Sequence, residues 1–274
     1  MPSIQVSVGS VTGGIMALHA SLWNQYYNQN NTSNQYRDEI DMLLKTDDGD
    51  VIWDELYSSA LSDIQKLKEF SNATETYDPR LNLIAVALES YTFQIIYDAF
   101  GMAPYSEAFQ GETTGNFNPK FERGEEIYPI LVTKIDEALN LFNSYLDENP
   151  NANELRLDQR NKDYFFNGDI TAWVQFANSV KLKLAMRNLE YDTDWSMGII
   201  NALEANPNYI GTDVLLDIFS AEINKENPLY AQDQNLNTQI NLVANRTFSE
   251  FLTVNGDPRD SLIYEANSAG NNLL

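Results

Sequence analysis

The sequence predicts an all-α fold, built from packed tetratricopeptide-like helical pairs that are joined by long loops. Two observations lead to this prediction: several long segments place apolar residues at helical spacing, and clusters of Gly, Pro and Asn separate them. The chain has 274 residues, of which 43% are hydrophobic, so it can bury a sizeable core. We expect a single helical domain over 1–274, with a tail at 1–11, a core of helical pairs at 12–205 and a loop-rich part at 206–274.

The first segments illustrate both kinds of pattern. Residues 1–11 alternate weakly between apolar and small polar residues, which fits a short strand or a frayed tail, and we favour the tail. From Ile15 onward the spacing becomes helical, and Leu18, His19 and Leu22 share one face. His19 has no visible catalytic partner, so we interpret it as a core residue.

The predicted central helix runs from Leu81 to Phe100 and is apolar on most of its circumference, which indicates that other elements cover it on most sides. Gly101 suits the left-handed conformation that ends many helices, and Pro104 prevents the helix from resuming. The remaining helices are predicted at Asp54–Phe70, Ile127–Phe142, Asp169–Arg187, Trp195–Ala205 and Phe248–Val254. Long polar loops are expected at 143–163 and 231–246.

Composition excludes several classes of function. A net charge of −23 disfavours nucleic-acid binding, which needs a basic surface. The absence of cysteine excludes disulfides and thiolate chemistry, and a single histidine argues against a His-based triad or a multi-His metal site. No cofactor is expected. The sequence contains no run of about 18 apolar residues, so it predicts no helix that spans a membrane. No signal-peptide pattern is visible at the N-terminus.

Five motifs follow one another along the chain. A helix ending in Tyr97-Asp98-x-Phe100-Gly101 leads into Pro104-Tyr105-Ser106-Glu107-Ala108. The others are Trp53-x-x-Leu56-Tyr57, Asn118-Pro119-Lys120-Phe121, the stretch from Asp163 to Ala185-Met186-Arg187, and Asp257-Pro258-Arg259. In their order along the chain they resemble the SusD/RagB family of outer-membrane nutrient-binding lipoproteins, and the Ala-Met-Arg helix end resembles its second SusD-like subfamily. Met102-Ala103 departs from the family's usual pair, an acidic residue or Asn followed by a small apolar residue.

The resemblance implies a non-enzymatic protein at the cell surface that binds glycans or other nutrients and passes them to a TonB-dependent, SusC-like outer-membrane transporter. It also implies contact with the membrane only through a lipid anchor, whose cysteine has no counterpart in this sequence. Family members continue further at both ends, so the fold is expected to be an incomplete version of the family's, lacking much of its C-terminal half.

One segment has the residue types that suit a sugar ligand. Residues 24–37 are rich in tyrosine and in side-chain amides, which both donate and accept hydrogen bonds as sugar hydroxyls require. With the resemblance, this composition predicts ligand contacts at Tyr27, Asn30, Asn31, Tyr36 and Arg37. A polar loop without a binding role is the other interpretation of the same residues.

Two other functions remain open at this point. A tetratricopeptide-like scaffold could bind a protein or peptide in a helical groove. An α-helical glycoside hydrolase would need two carboxylates about 5–10 Å apart, and none of the 40 acidic residues stands out as such a pair.

Overall fold

Helices dominate the structure, a computed structural model that describes residues 1–235 and 240–264, and the all-α prediction is confirmed. In chain order the elements are α1 (Pro2–Gly13), α2 (Ile15–Trp23), β1 (Tyr27–Gln29), α3 (Arg37–Ile40), α4 (Asp50–Trp53), a π-helix (Asp54–Leu61), α5 (Ser62–Asn72), α6 (Pro79–Phe100), β2 (Met102–Pro104), α7 (Gly111–Thr114), β3 (Phe121–Arg123), α8 (Gly124–Glu148), α9 (Leu157–Arg160), α10 (Ile170–Arg187), α11 (Thr193–Ala205), α12 (Pro228–Gln234), β4 (Leu242–Ala244), α13 (Arg246–Val254) and α14 (Asp260–Ile263).

The chain forms two compact units, and the prediction of a single domain over 1–274 stays a prediction. The first unit consists of Met1–Val8 and Trp53–Ile218, and the second of Gly9–Ile52 and the described part of Phe219–Leu274. Local periodicity could not indicate this division, because the second unit joins segments that are far apart in sequence. Its antiparallel β1–β4 pair, with Tyr27 opposite Ala244, is one such long-range contact.

The first unit is built around α6, which contacts the π-helix, α5, α8 and α10. Asp78 caps its start by accepting a hydrogen bond from the Arg80 backbone N–H at 3.0 Å, and Pro79 occupies the first turn. Seventeen of its 22 residues are buried, so its nearly continuous apolar surface is accounted for by helices on several sides. Gly101 ends the helix at φ 75°, as its position predicted.

The predicted tail at 1–11 is wrong, because these residues form α1. Ile4, Val8 and Val11 are buried. Gln5 donates a hydrogen bond at 2.7 Å to the buried carboxylate of Asp163. The weak alternation of apolar residues concealed a helix whose stability comes from these tertiary contacts.

Parts of two predicted loops form helices or a strand instead. Within 143–163, α8 continues to Glu148 and the short α9 follows. Within the described residues of 231–246, α12 extends to Gln234 and β4 occupies Leu242–Ala244. Polar composition predicted loops here, whereas helix caps and strand pairing decide the observed structure.

Two helical stretches, Pro2–Trp23 and Pro79–Phe100, are long and apolar enough in composition to cross a membrane. Composition averaged over a helix is a weaker criterion than an uninterrupted apolar run, so the expectation that no helix spans a membrane stays a prediction. Most of Pro79–Phe100 is buried inside the protein, and a core helix has the same composition.

Candidate ligand-binding surface

The segment between Trp23 and Arg37 lies in the second unit and exposes aromatic, amide and guanidinium side chains. We call these exposed side chains the amide surface: Trp23, Asn24, Gln25, Tyr26, Asn31, Asn34, Gln35 and Arg37. The segment follows α2 directly, and Gln25 turns the chain with a φ of 59°. Pairing of β1 with β4 then fixes the backbone on the far side of this turn.

Two aromatic rings on this surface are each fixed by one contact with a neighbouring residue, while part of each ring faces solvent. Trp23 is 38% exposed, and its indole N–H donates to the Glu39 carbonyl at 2.9 Å. Tyr26 is 44% exposed and meets Phe248 edge to face at a centroid distance of 4.6 Å. Rings fixed in this way lose little side-chain entropy when a ligand stacks on them.

His19 packs against the Trp23 ring. It is buried and stacks on the indole with the ring centroids 5.4 Å apart. Burial lowers the pKa of His19, although the charges of Glu39 and Asp48 act in the opposite direction. A buried imidazole with a lowered pKa is neutral near pH 7, as expected for a core residue.

The structure places four of the predicted contact residues at different depths. Tyr27 is half-buried against Tyr264. Asn30 has both polar atoms occupied, because its amide donates to the Ile240 carbonyl at 3.2 Å and its oxygen accepts from Thr32. Asn31 and Arg37 are exposed, and their side chains form no hydrogen bond or ion pair with other described residues.

Tyr36 is buried, so its predicted ligand contact is not visible in the structure and stays a prediction. It is 7% exposed and belongs to a core cluster with Leu18 and Leu22. Its hydroxyl donates to the Gln232 side-chain oxygen at 2.6 Å, and burial raises its pKa. The segment is rich in both tyrosine and asparagine, and this composition did not reveal which individual side chains would face the core.

Gln232 also lines a hollow of about 690 Å³ that the sequence analysis did not identify. Its polar wall includes Asn224, Glu226 and Asn235, and the Asn235 amide donates to Glu226 at 3.0 Å. The cap motif Asn227-Pro228 was the available signal, because it predicts a helix that carries Gln232 and ends next to Asn235.

The amide surface and the hollow offer hydrogen-bond donors and acceptors together, which suits a polyhydroxylated ligand. Within residues 1–235 and 240–264, no group of three or more His, Asp or Glu side chains is placed to hold a metal ion.

A family model described as "Starch-binding associating with outer membrane" matches residues 8–273. No curated protein matches the sequence significantly.

Solved structures share the fold at low sequence identity. A chitin-binding protein is 22% identical with a TM-score of 0.70, and the match covers 96% of this chain and 54% of that one. A chitin-binding SusD homologue from Flavobacterium johnsoniae is 16% identical with a TM-score of 0.69, covering 98% and 54%. A SusD/RagB family protein from Bacteroides thetaiotaomicron is 20% identical with a TM-score of 0.70, covering 94% and 52%. The chain therefore spans about half the length of these structures.

Proposed function

The chain belongs to the SusD-like family whose model is described as starch-binding and associated with the outer membrane, and on this premise we propose that it is a non-enzymatic oligosaccharide receptor at the cell surface. Its ligand stacks on the exposed rings of the amide surface and exchanges hydrogen bonds with the surrounding amides. The receptor passes the ligand to a TonB-dependent transporter of the SusC type.

One observation carries the proposal for the site. Trp23 and Tyr26 each present a partly exposed ring whose edge is already fixed, and exposed amides lie between and after them in the segment. Aromatic rings bind the apolar faces of sugars, and amides satisfy the hydroxyls at the rim. Asn31 and Arg37 keep their predicted roles as polar contacts, Tyr27 and Asn30 contribute through their exposed parts, and Tyr36 supports the surface from the core.

Capture without bond cleavage fits these residue types. Hydrogen bonds at an exposed surface replace bonds to water, so the affinity for each sugar is modest. Release to a transporter is then possible without a chemical step. The named relatives that bind chitin support a carbohydrate as the ligand class and suggest the first probe.

The proposal is tested by calorimetric titration of the purified chain with soluble chitin and starch oligosaccharides. We expect binding to at least one of them, and about tenfold weaker binding after Trp23→Ala or Tyr26→Ala because each change removes one stacking face. Phe251→Ala is the matched control, because Phe251 is equally aromatic, 59% exposed and outside the amide surface.

Chromatography of the same mixtures checks for cleavage. Intact oligosaccharides are expected after prolonged incubation. Shortened products would contradict the receptor proposal and favour a glycoside hydrolase. Affinity capture from outer-membrane extracts should recover a transporter barrel. Recovery of a soluble protein alone would favour a tetratricopeptide-like scaffold instead.

A further inference from the structure

Four aromatic rings of the first unit form a column that ends at the protein surface. Phe121, Trp53, Tyr57 and Phe109 stack in that order, with successive ring centroids 6.2, 4.7 and 5.3 Å apart. Their planes differ by no more than 24° from one neighbour to the next. Phe100 closes one side by meeting Trp53 edge to face at 5.3 Å.

The column is anchored in the middle and open at its end. The Tyr57 hydroxyl donates to the Pro104 carbonyl at 3.0 Å, and burial raises the pKa of this phenol to about 12. Phe121 is 56% exposed and lies opposite Pro104 in the β2–β3 register. Because one side of its ring rests on Trp53, the exposed area is available to a ligand that stacks on the column.

A polar cavity of about 290 Å³ lies beside the same two strands. Its walls include two ion pairs: Arg187 contacts Asp98 at 3.0 Å, and Arg123 contacts Glu125 at 2.5 Å. The two positive and two negative charges balance. Such a cavity offers donors and acceptors side by side without selecting for a charged ligand.

Strand geometry joins the column to the cavity. Phe121 and Arg123 are two residues apart on β3, so their side chains point to the same face at a spacing of about 7 Å. Glu122 points to the other face, where its carboxylate accepts the backbone N–H groups of Tyr105 and Ser106 at 3.2 and 2.7 Å. The hairpin therefore presents one exposed ring and one exposed guanidinium together.

We propose that the first unit carries a second carbohydrate subsite, in which a neutral sugar ring stacks on Phe121 while its hydroxyls bind Arg123 and the Asp98–Arg187 pair. The inference rests on the proposed receptor function and adds a ligand contact outside the amide surface. A neutral ligand is favoured because the cavity charges cancel, and a net charge of −23 repels anions.

The test uses the double variant Trp23→Ala/Tyr26→Ala, which removes the stacking faces of the amide surface. Titrations with the chitin or starch oligosaccharide that the wild-type chain binds should show residual binding. Adding Phe121→Ala or Arg123→Gln should weaken this residual binding about tenfold. Adding Phe70→Ala should leave it unchanged, since Phe70 is a 48% exposed phenylalanine of the same unit outside the column and the cavity.

The outcomes separate the two proposals. If the wild-type chain binds neither oligosaccharide, the receptor function falls and the subsite falls with it. If the double variant loses all binding, the amide surface stands and the subsite is overturned. If Phe121→Ala matches Phe70→Ala, the subsite is likewise overturned, and the amide surface stands only where the double variant binds more weakly than the wild type. If only the Phe121 and Arg123 changes weaken binding, the subsite stands and the amide surface is overturned. Thermal unfolding of each variant verifies that it is folded.

Discussion

At the scale of single residues, Tyr36 shows how one side chain can support a surface without forming it. Its ring fills the cluster around Leu18 and Leu22, and its hydroxyl bonds to Gln232, which lines the hollow. The sequence indicated the segment in which Tyr36 lies. It did not indicate that the Tyr36 side chain points into the core, because side-chain direction depends on packing against helices that are distant in sequence.

Substitutions at Tyr36 should therefore change stability rather than direct ligand contact. Tyr36→Phe removes one hydrogen bond and should lower the free energy of unfolding by about 1 kcal/mol. Tyr36→Ala also empties a core position and should cost about 3–5 kcal/mol. Urea unfolding measures both, with Tyr230→Phe as a control at a tyrosine that is 55% exposed. A large loss of glycan affinity in Tyr36→Phe at unchanged stability would instead make the hydroxyl a ligand contact.

At the scale of elements, two glycines in helices have opposite surroundings. A Cβ on Gly124, at the start of α8, would lie 3.0 Å from the Tyr97 Cβ and 3.1 Å from the Tyr128 hydroxyl oxygen. A Cβ on Gly198, inside α11, would meet nothing within 4 Å. The first glycine permits close packing of α8 on α6, whereas the second only weakens its own helix.

Alanine at the two positions should shift stability in opposite directions. Gly124→Ala should destabilise by about 1–3 kcal/mol through overpacking against Tyr97. Gly198→Ala should stabilise by about 0.5–1 kcal/mol, because alanine has less backbone entropy to lose in a helix. Thermal or urea unfolding measures both changes. Equal effects of the same sign at the two positions would contradict this account of the α6–α8 contact.

Helices with a strong signal of their own were predictable from sequence. The central helix, its Gly101 end and the Asp169 cap, which accepts from the Thr171 and Ala172 N–H groups, all carried local information. Helix α1 and the β1–β4 pair did not, since α1 depends on tertiary contacts and β1 on a strand more than 200 residues away. The ligand site in residues 24–37 stays a prediction, and the exposure of Trp23 and Tyr26 required the structure.

At the scale of the whole molecule, the N-terminal residues are part of the folded protein. Ile4 and Val8 are almost fully buried, and Gln5 supplies one of the hydrogen bonds to Asp163. Asp163 also accepts from the Trp173 indole N–H and the Gly168 backbone N–H, both at 2.8 Å. Removing α1 would leave this buried carboxylate with fewer donors and uncover apolar surface.

Deletion of residues 2–11 should therefore destabilise the chain by several kcal/mol, because each buried aliphatic side chain contributes about 1.5–3 kcal/mol. The melting temperature from circular dichroism measures the effect. Ile4→Ala should reproduce part of the loss, whereas Ser3→Ala should cost only about 1 kcal/mol, because it removes a single exposed hydrogen bond to Asp63. A deletion variant with an unchanged melting temperature would restore the interpretation of these residues as a tail.

The π-helix at Asp54–Leu61 has a consequence for how this protein can change in length. Each residue added to an α-helix rotates everything on one side of it by about 100° relative to the other side. A wider turn absorbs such an addition locally, so the helices on both sides keep their angular phase and only residues within the turn, such as Tyr57, change direction. Gain or loss of a single codon here would therefore displace Tyr57 from the aromatic column, while Trp53 and the Ile64 face of α5 stay where they are.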